Sequence, residues 1–241
     1  MSGHNKWSTI KHKKGKTDAQ RARVFTKIGR EIAIAVREGG PNPDNNSKLR
    51  DVIAKAKASN MPNDNINRSI QKAAGEGSGV NYEEITYEGY GAGGVAVMVE
   101  TLTDNRNRTA SDVRHIFDKF GGSMGTSGCV AWILDHKGVL VIERTAEMDE
   151  DEVMMAALDA GAQDFDAGEE AFEIQTGIGE FSSVREALEQ AGYSFISAEI
   201  SWVPQQDPME VSEDVEQKLE ILIDRLEELD DVQAVYHNAD M

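Results

Sequence analysis

The chain has 241 residues, a formal net charge of −18 and 39 % hydrophobic residues, which is typical of a globular protein long enough for two or three domains. No apolar run approaches the roughly 18 residues that span a bilayer, and the basic N-terminus is not followed by the apolar segment of a secretory signal. A single cysteine, Cys129, excludes an internal disulfide framework and favours a reducing compartment. We therefore expect a cytoplasmic protein that does not insert into membranes.

Charge is distributed unevenly along the chain. Residues 1–80 carry a net charge of +9, whereas residues 81–241 carry −27. Within the basic part, Gly3–Arg37 holds ten Lys/Arg and two carboxylates. Clustered cations with interspersed His and Trp suit phosphate backbones, since each neutralised phosphate releases a counterion. The acidic remainder should repel bulk nucleic acid, so contact is predicted to be confined to the basic end.

Three helices are predicted in the basic part. Residues 1–16 are typical of a poorly ordered arm that becomes structured on its partner. Thr17 then begins a helix with the form of a capping box, and Gly39-Gly40-Pro41 ends it. A second helix starts near Ser47, and a third follows Pro62. These helices predict a small basic domain over residues 1–78.

The pattern of apolar residues changes at Tyr82, and the segment that follows is predicted to form an α+β unit. Strands are predicted at Glu84–Tyr90 and Gly94–Leu102, followed by a helix from Thr109 and a strand at Cys129–Leu134. The first two strands are joined by a glycine-rich connection that formally matches G-x-G-x-x-G. Because that connection lies between two strands, it is predicted to be a tight turn rather than a dinucleotide site.

From Gly138 a second pattern of strands and helices begins. Its order is βαββαβ, which is the split-βαβ, ferredoxin-like arrangement. Its last strand alternates apolar residues with Ser197, Glu199 and Ser201, which predicts one water-exposed face. The predicted elements are strands at Val139–Glu143, near Phe165, at Phe172–Thr176 and at Phe195–Val203, with helices at Asp149–Ala160 and from the cap at Ser183 to Gln190.

The C-terminal segment supplies one long helix from about Val215 and a short strand at Val232–Tyr236. Neither can bury its apolar residues alone, so we expect them to complete the earlier α+β unit. The predicted fold class is therefore α+β with three domains: the basic three-helix N-terminal domain, a discontinuous α+β middle domain (80–136 plus 205–241) and an inserted acidic ferredoxin-like βαββαβ domain (137–204).

Four segments of the sequence resemble the YebC/PmpR family over essentially the full chain. They are GHNKWSTIKHKK, ITYEGYGAGGVAVMVETLTDNRNRT, GGSMGTSGCVAW and DDVQAVYHN. The resemblance implies the same three-domain fold with an inserted ferredoxin-like domain. It also implies a probable bacterial transcriptional regulator that binds DNA, while the mitochondrial branch is described as a translational activator and bacterial members have been linked to the ribosome.

The basic arm and first helix supply the candidate nucleic-acid-binding residues. Cations there would bind phosphates and Trp7 would stack on a base or ribose. The alternative is that Trp7 and Ile10 fold back on the helical core and the lysines are only solvated. The candidates are Lys6, Trp7, Lys11, His12, Lys13, Lys14, Lys16, Arg21, Arg23, Lys27 and Arg30.

Arg106 and Arg108 form a second candidate site, because they precede the helix predicted from Thr109. A helix N-terminus attracts anions, so two arginines there could clamp a phosphate or carboxylate. The alternative is an ion pair between either arginine and the acidic inserted domain.

Catalysis finds little support in the sequence. The five histidines are scattered, without metal-ligand spacing among themselves or with Cys129. We expect a non-enzymatic regulator of gene expression with no cofactor and no membrane partner; its oligomeric state is not determined by the sequence, and a monomer is the expectation. Two mechanisms remain open: duplex DNA binding near promoters, or contact with ribosomal RNA by a ribosome-associated translation factor.

Overall fold

The computed structural model describes residues 18–75 and 81–241, and they form an α+β protein. Its first part consists of helices α1 (Asp18–Gly39), α2 (Ser47–Ala58) and α3 (Asn63–Ala74), so the three predicted helices are confirmed. The predicted capping box at Thr17 lies outside the described residues. Apolar residues at helical spacing form a shared core, which includes Ile28, Ile32, Leu49, Val52, Ala56 and Ile66.

Asn46 joins the first two helices. Its side-chain oxygen accepts a hydrogen bond from the backbone nitrogen of Leu49 at 3.0 Å, which caps α2. Its side-chain nitrogen donates to the carbonyl oxygens of Ala35 at 2.7 Å and Gly40 at 2.9 Å. One buried amide therefore hydrogen-bonds the backbone near the end of α1 and at the start of α2.

A four-stranded antiparallel sheet follows, built from two distant parts of the chain. Its strands are β1 (Glu83–Tyr90), β2 (Ala96–Thr103), β3 (Ser123–Met124) and β9 (Val232–His237), in the order β3-β1-β2-β9. Helices α4 (Arg106–Lys119) and α7 (Glu213–Glu227) pack together with this sheet. The predicted pairing of the C-terminal strand with the earlier α+β elements is confirmed.

The second four-stranded sheet has the ferredoxin-like order. Its elements are β4 (Leu134–Glu143), α5 (Glu150–Ala160), β5 (Asp164–Ala167), β6 (Ala171–Thr176), α6 (Phe181–Gln190) and β7 (Ser197–Pro204). The strand order is β5-β6-β4-β7, and every neighbouring pair is antiparallel. Both helices contribute to one apolar core with the sheet.

The strand predicted at Cys129–Leu134 is wrong. Residues 127–133 form turns, and β4 begins only at Leu134. The carboxylate of Glu88 explains the difference, since it accepts hydrogen bonds from the backbone nitrogens of Gly128 at 2.7 Å, Val130 at 2.8 Å and Ala131 at 3.0 Å. These backbone groups point at one carboxylate and are not available to a sheet ladder.

Two helix starts also differ from the prediction. Helix α4 begins at Arg106 rather than Thr109, because the side chain of Asn105 accepts a hydrogen bond from the backbone nitrogen of Arg108 at 3.1 Å and caps the helix there. Helix α6 begins at Phe181, so the predicted cap at Ser183 lies inside the helix.

The predicted water-exposed face of β7 is wrong as well. Ser201 is only 1 % exposed, and Glu199 lies 3.7 Å from the Lys55 ammonium of α2. Helix α2 packs against β7, so this polar face is turned toward the basic helices.

Three strands escaped the sequence analysis because each has two residues. One is β3, and the others are β8 (Met209–Glu210) and β10 (Ala239–Asp240), which pair in parallel. The predicted boundary between residues 136 and 137 falls within β4, and the domain bounds stay a prediction. In the part of the chain that the structure describes, no helix is both long and apolar enough to cross a bilayer.

Candidate nucleic-acid interface

The structure describes the candidate cations of helix α1 but not those of the N-terminal arm. Lys6, Trp7, Lys11, His12, Lys13, Lys14 and Lys16 lie outside the described residues. Arg21 and Arg23 lie at the exposed start of α1, and their role in binding stays a prediction.

Lys27 and Arg30 lie further along α1 and contact the C-terminal part of the chain. The Lys27 ammonium donates to the carbonyl oxygen of Glu227, the last residue of α7, at 2.9 Å. A cation at this position complements the negative end of the helix dipole. The Arg30 guanidinium donates to the carbonyl oxygen of Leu102 at 2.9 Å and to the Asp231 carboxylate at 2.7 Å. We therefore leave both residues out of the proposed nucleic-acid surface.

Asp231 is the acceptor at the centre of this junction. Besides Arg30, it accepts hydrogen bonds from the Arg108 guanidinium at 2.7 Å and from the buried Thr109 hydroxyl at 2.7 Å. Burial opposes ionisation of Asp231, but these hydrogen bonds outweigh it and hold the pKa of the carboxyl below its ordinary value. The junction therefore attaches α1 to the sheet through a charged carboxylate.

Arg106 and Arg108 lie within the first turn of α4 and are both paired. Arg106 lies 3.1 Å from the Glu83 carboxylate, whereas Arg108 contacts Asp104 at 2.8 Å as well as Asp231. The alternative of an ion pair with the inserted domain is wrong, because all three carboxylates lie outside residues 137–204. These carboxylates balance the positive charge that a phosphate clamp would need, so neither arginine enters the proposed surface.

Other cations of the three-helix part also face the rest of the chain. Lys55 lies 2.9 Å from Glu31 and 3.7 Å from Glu199, while Arg50 lies 2.8 Å from Glu186. Burial lowers the pKa of Lys55, but Glu31 and Glu199 raise it by more, so the ammonium stays charged. The side of the helical part that packs on the acidic body is thus neutralised.

Helix α3 carries the polar surface that the sequence analysis missed. Its apolar residues Ile66 and Ile70 pack into the three-helix core, and its other side is exposed. That exposed side presents Asn67, Arg68, Gln71 and Lys72. Among the described residues, neither Arg68 nor Lys72 has an ion-pair partner. Their spacing of four residues, which places them on one helix face, was the available signal.

Two models of one protein family match this chain. Residues 5–76 match the family model described as TACO1/YebC protein N-terminal domain, and residues 82–239 match the one described as TACO1/YebC second and third domain. The chain belongs to the TACO1/YebC family.

Relatives in the TACO1/YebC family share most of the sequence. A protein of Acetivibrio thermocellus is 61 % identical over 243 residues, covering 99 % of this chain and 98 % of its own length. One of Clostridium novyi is 61 % identical over 241 residues, covering 100 % of this chain and 97 % of its own. Both are named probable transcriptional regulatory proteins.

A solved structure supports the fold of this TACO1/YebC chain. The crystal structure of a conserved hypothetical protein from Aquifex aeolicus superimposes with a TM-score of 0.85 at 48 % sequence identity. The match covers 96 % of this chain and 95 % of that one. The expected family and the α+β fold class are therefore confirmed.

Proposed function

We propose that this chain is a non-enzymatic regulator of gene expression that binds nucleic acid through its N-terminal three-helix part. Two kinds of support converge on this proposal. The relatives are named probable transcriptional regulatory proteins, a description that specifies no reaction. In addition, the net charge of +9 over residues 1–80 stands against −27 over the remainder, which orients an approaching polyanion toward the basic end.

The exposed face of α3 carries the proposal and favours duplex DNA as the target. Asparagine and glutamine form paired hydrogen bonds with adenine, and arginine does so with guanine, in the major groove. Asn67, Arg68 and Gln71 place these side chains on one short exposed helix, with Lys72 beside them for a phosphate. A helix that is apolar on one side and carries these groups on the other fits the geometry of a groove-reading helix.

The contacts of Lys27 and Arg30 help to hold helix α3 in place through α1. They attach α1 to the acidic body, and α1 in turn packs against α3 in the three-helix core. Rigid support of a recognition helix improves its precision, because fewer internal motions must be frozen on binding.

Salt-dependent binding to duplex DNA tests the proposal. Replacing both Arg68 and Lys72 by Glu should weaken binding by roughly tenfold or more. It should also reduce the slope of log affinity against log salt by about 1, for the phosphate that Lys72 no longer neutralises. The matched control replaces Arg114 and Lys119 of α4, two other exposed cations, by Glu. If the control weakens binding as much as the α3 variant, the α3 surface is wrong and only net charge matters.

Contact with ribosomal RNA is the competing outcome, because the Lys/His/Gly arm with Trp7 also suits folded RNA. In-cell ultraviolet crosslinking followed by sequencing of both RNA and DNA separates the two. Enrichment of a few promoter segments, abolished in the α3 variant, supports the DNA mechanism. Crosslinks concentrated at one ribosomal RNA site, abolished when Lys11, Lys13, Lys14 and Lys16 are replaced by Glu, would establish the translation factor instead.

A further inference from the structure

A cavity of about 270 Å³ lies where the helical part and both four-stranded sheets meet. Its wall includes Lys55 of α2, Glu100 of β2, Glu199 of β7 and Gln233 of β9. Apolar side chains such as Val52 complete the wall. A concave site at a junction of structural units, with apolar walls and a few polar groups, is the usual setting of a small-molecule site.

Glu100 is the carboxylate of this wall that has no lysine or arginine of the described residues within 4.0 Å. Among the described residues, Glu31 and Glu199 have Lys55, Glu84 has Lys48, and Asp51 has Arg185 within 4.0 Å. By contrast, the one basic atom within 4.0 Å of the Glu100 carboxylate in the described part of the chain is Nε2 of His136, at 3.9 Å, which is charged only when protonated.

Neutral donors hold the Glu100 carboxylate in place. Trp202 Nε1 donates to one oxygen at 2.7 Å and the Tyr236 hydroxyl to the other at 3.2 Å. Stacking with the His136 ring, at 4.4 Å between centroids, fixes the orientation of the Trp202 indole. Each carboxylate oxygen has two lone pairs, so both retain the capacity to accept a further hydrogen bond. The carboxylate is thus preorganised and incompletely paired.

Gln233 adds an unpaired amide to the same cavity wall. In the β2–β9 ladder Glu100 pairs with Ala234 and Thr101 with Val232, so Gln233 is the extra residue of a β-bulge. Bulges redirect side chains and are frequent beside functional sites. Among the residues that the structure describes, neither the amide nitrogen nor the amide oxygen of Gln233 has a hydrogen-bond partner, and both atoms are buried. A buried amide without partners is costly, which indicates that a bound molecule supplies them.

The charges of the wall indicate which chemical class binds. Five carboxylates (Glu31, Asp51, Glu84, Glu100 and Glu199) outnumber the two lysines Lys48 and Lys55. Across residues 18–75 and 81–241, no cluster of three or more His, Cys, Asp or Glu side chains is arranged to hold a metal ion. An organic cation therefore fits better than a metal ion.

From these observations we infer that the junction cavity binds a small aliphatic primary amine, with its ammonium between Glu100 and the amide oxygen of Gln233 and its hydrocarbon part against the apolar wall. The site goes beyond the proposed nucleic-acid binding and does not depend on it. Because its wall combines α1 and α2 with both sheets, an occupant would connect the three parts of the molecule.

Nuclear magnetic resonance of the full chain tests the inference with diaminobutane as the probe and butanediol, its uncharged analogue, as the control ligand. At physiological ionic strength, diaminobutane should shift the signals of the Trp202 indole N–H and the Gln233 side-chain amide, with a Kd of about 1 mM or tighter. Butanediol should leave both signals in place. Equal shifts with both compounds, or no shift with either, would overturn the inference.

Variants separate the cavity from the acidic surface as a whole. Glu100→Gln should weaken binding by roughly tenfold or more, since it removes the charge while keeping the size of the side chain. Gln233→Leu should also weaken it, and this variant retains a folded core because it buries no polar group. Glu220→Gln removes the same charge from an exposed position of α7 and should bind like the parent. If Glu220→Gln loses as much affinity as Glu100→Gln, binding is a general surface effect and the site is refuted.

Discussion

Asp231 is the residue whose removal should most weaken the attachment of α1 to the rest of the molecule. Asp231→Ala deletes the acceptor of the Arg30 guanidinium, whose side chain is 15 % exposed, and of the fully buried Thr109 hydroxyl. Arg30 and Thr109 each donate to an ionised carboxylate, and a hydrogen bond of this kind contributes about 1.5–3 kcal/mol. The Arg108 pair is not counted in this sum, because that side chain is 47 % exposed and solvent screens its charge.

These contributions give an expected loss of about 4 kcal/mol in the free energy of unfolding, which agrees with about 3–5 kcal/mol for breaking a buried ion pair. Urea denaturation followed by circular dichroism measures it. The neighbouring Asp230 is exposed, so Asp230→Ala should change stability by no more than about 0.5 kcal/mol. A loss below about 1 kcal/mol for Asp231→Ala would show that the junction does not hold α1 and would refute the reasoning.

The same junction predicts a pH dependence. The pKa of Asp231 is lower in the folded protein than in the unfolded chain. Its contribution to the free energy of unfolding is therefore complete above the unfolded pKa of about 3.9 and is lost as pH falls through the lower folded pKa. The stability difference between the parent and Asp231→Asn should shrink on acidification below about pH 4, and a constant difference would contradict this. Glu88→Ala leaves three backbone N–H groups of residues 128–131 without their acceptor and should lower the free energy of unfolding by about 3 kcal/mol. Hydrogen exchange at those amides should accelerate, and unchanged exchange would contradict the role of the carboxylate. Gln233→Leu replaces a buried unpaired amide and should raise the free energy of unfolding by about 1 kcal/mol in the absence of ligand. Urea denaturation measures this change, and a destabilisation would show that the amide has partners.

Local patterns determined most elements of this protein. Helices α1 to α3, strands β1 and β2 and the βαββαβ order were predicted from spacing and turn residues, because the periods of a helix and a strand appear within ten to twenty residues. Family membership was also available from short segments, such as GGSMGTSGCVAW, that are specific when taken together.

Only the tertiary structure decided which polar groups are free. Arg30 and Asp231 lie 201 residues apart in the chain, so nothing near Arg30 in the sequence shows that its charge is used internally. The turns around Cys129 form because the carboxylate of a residue about forty positions earlier binds their backbone. The apolar residues of the segment, taken alone, predict a strand. Likewise, the exposed face of α3 and the unpaired amide of Gln233 depend on what packs around them. Pairing of charges and satisfaction of buried polar groups are properties of contacts between distant segments, and local periodicity carries no information about them.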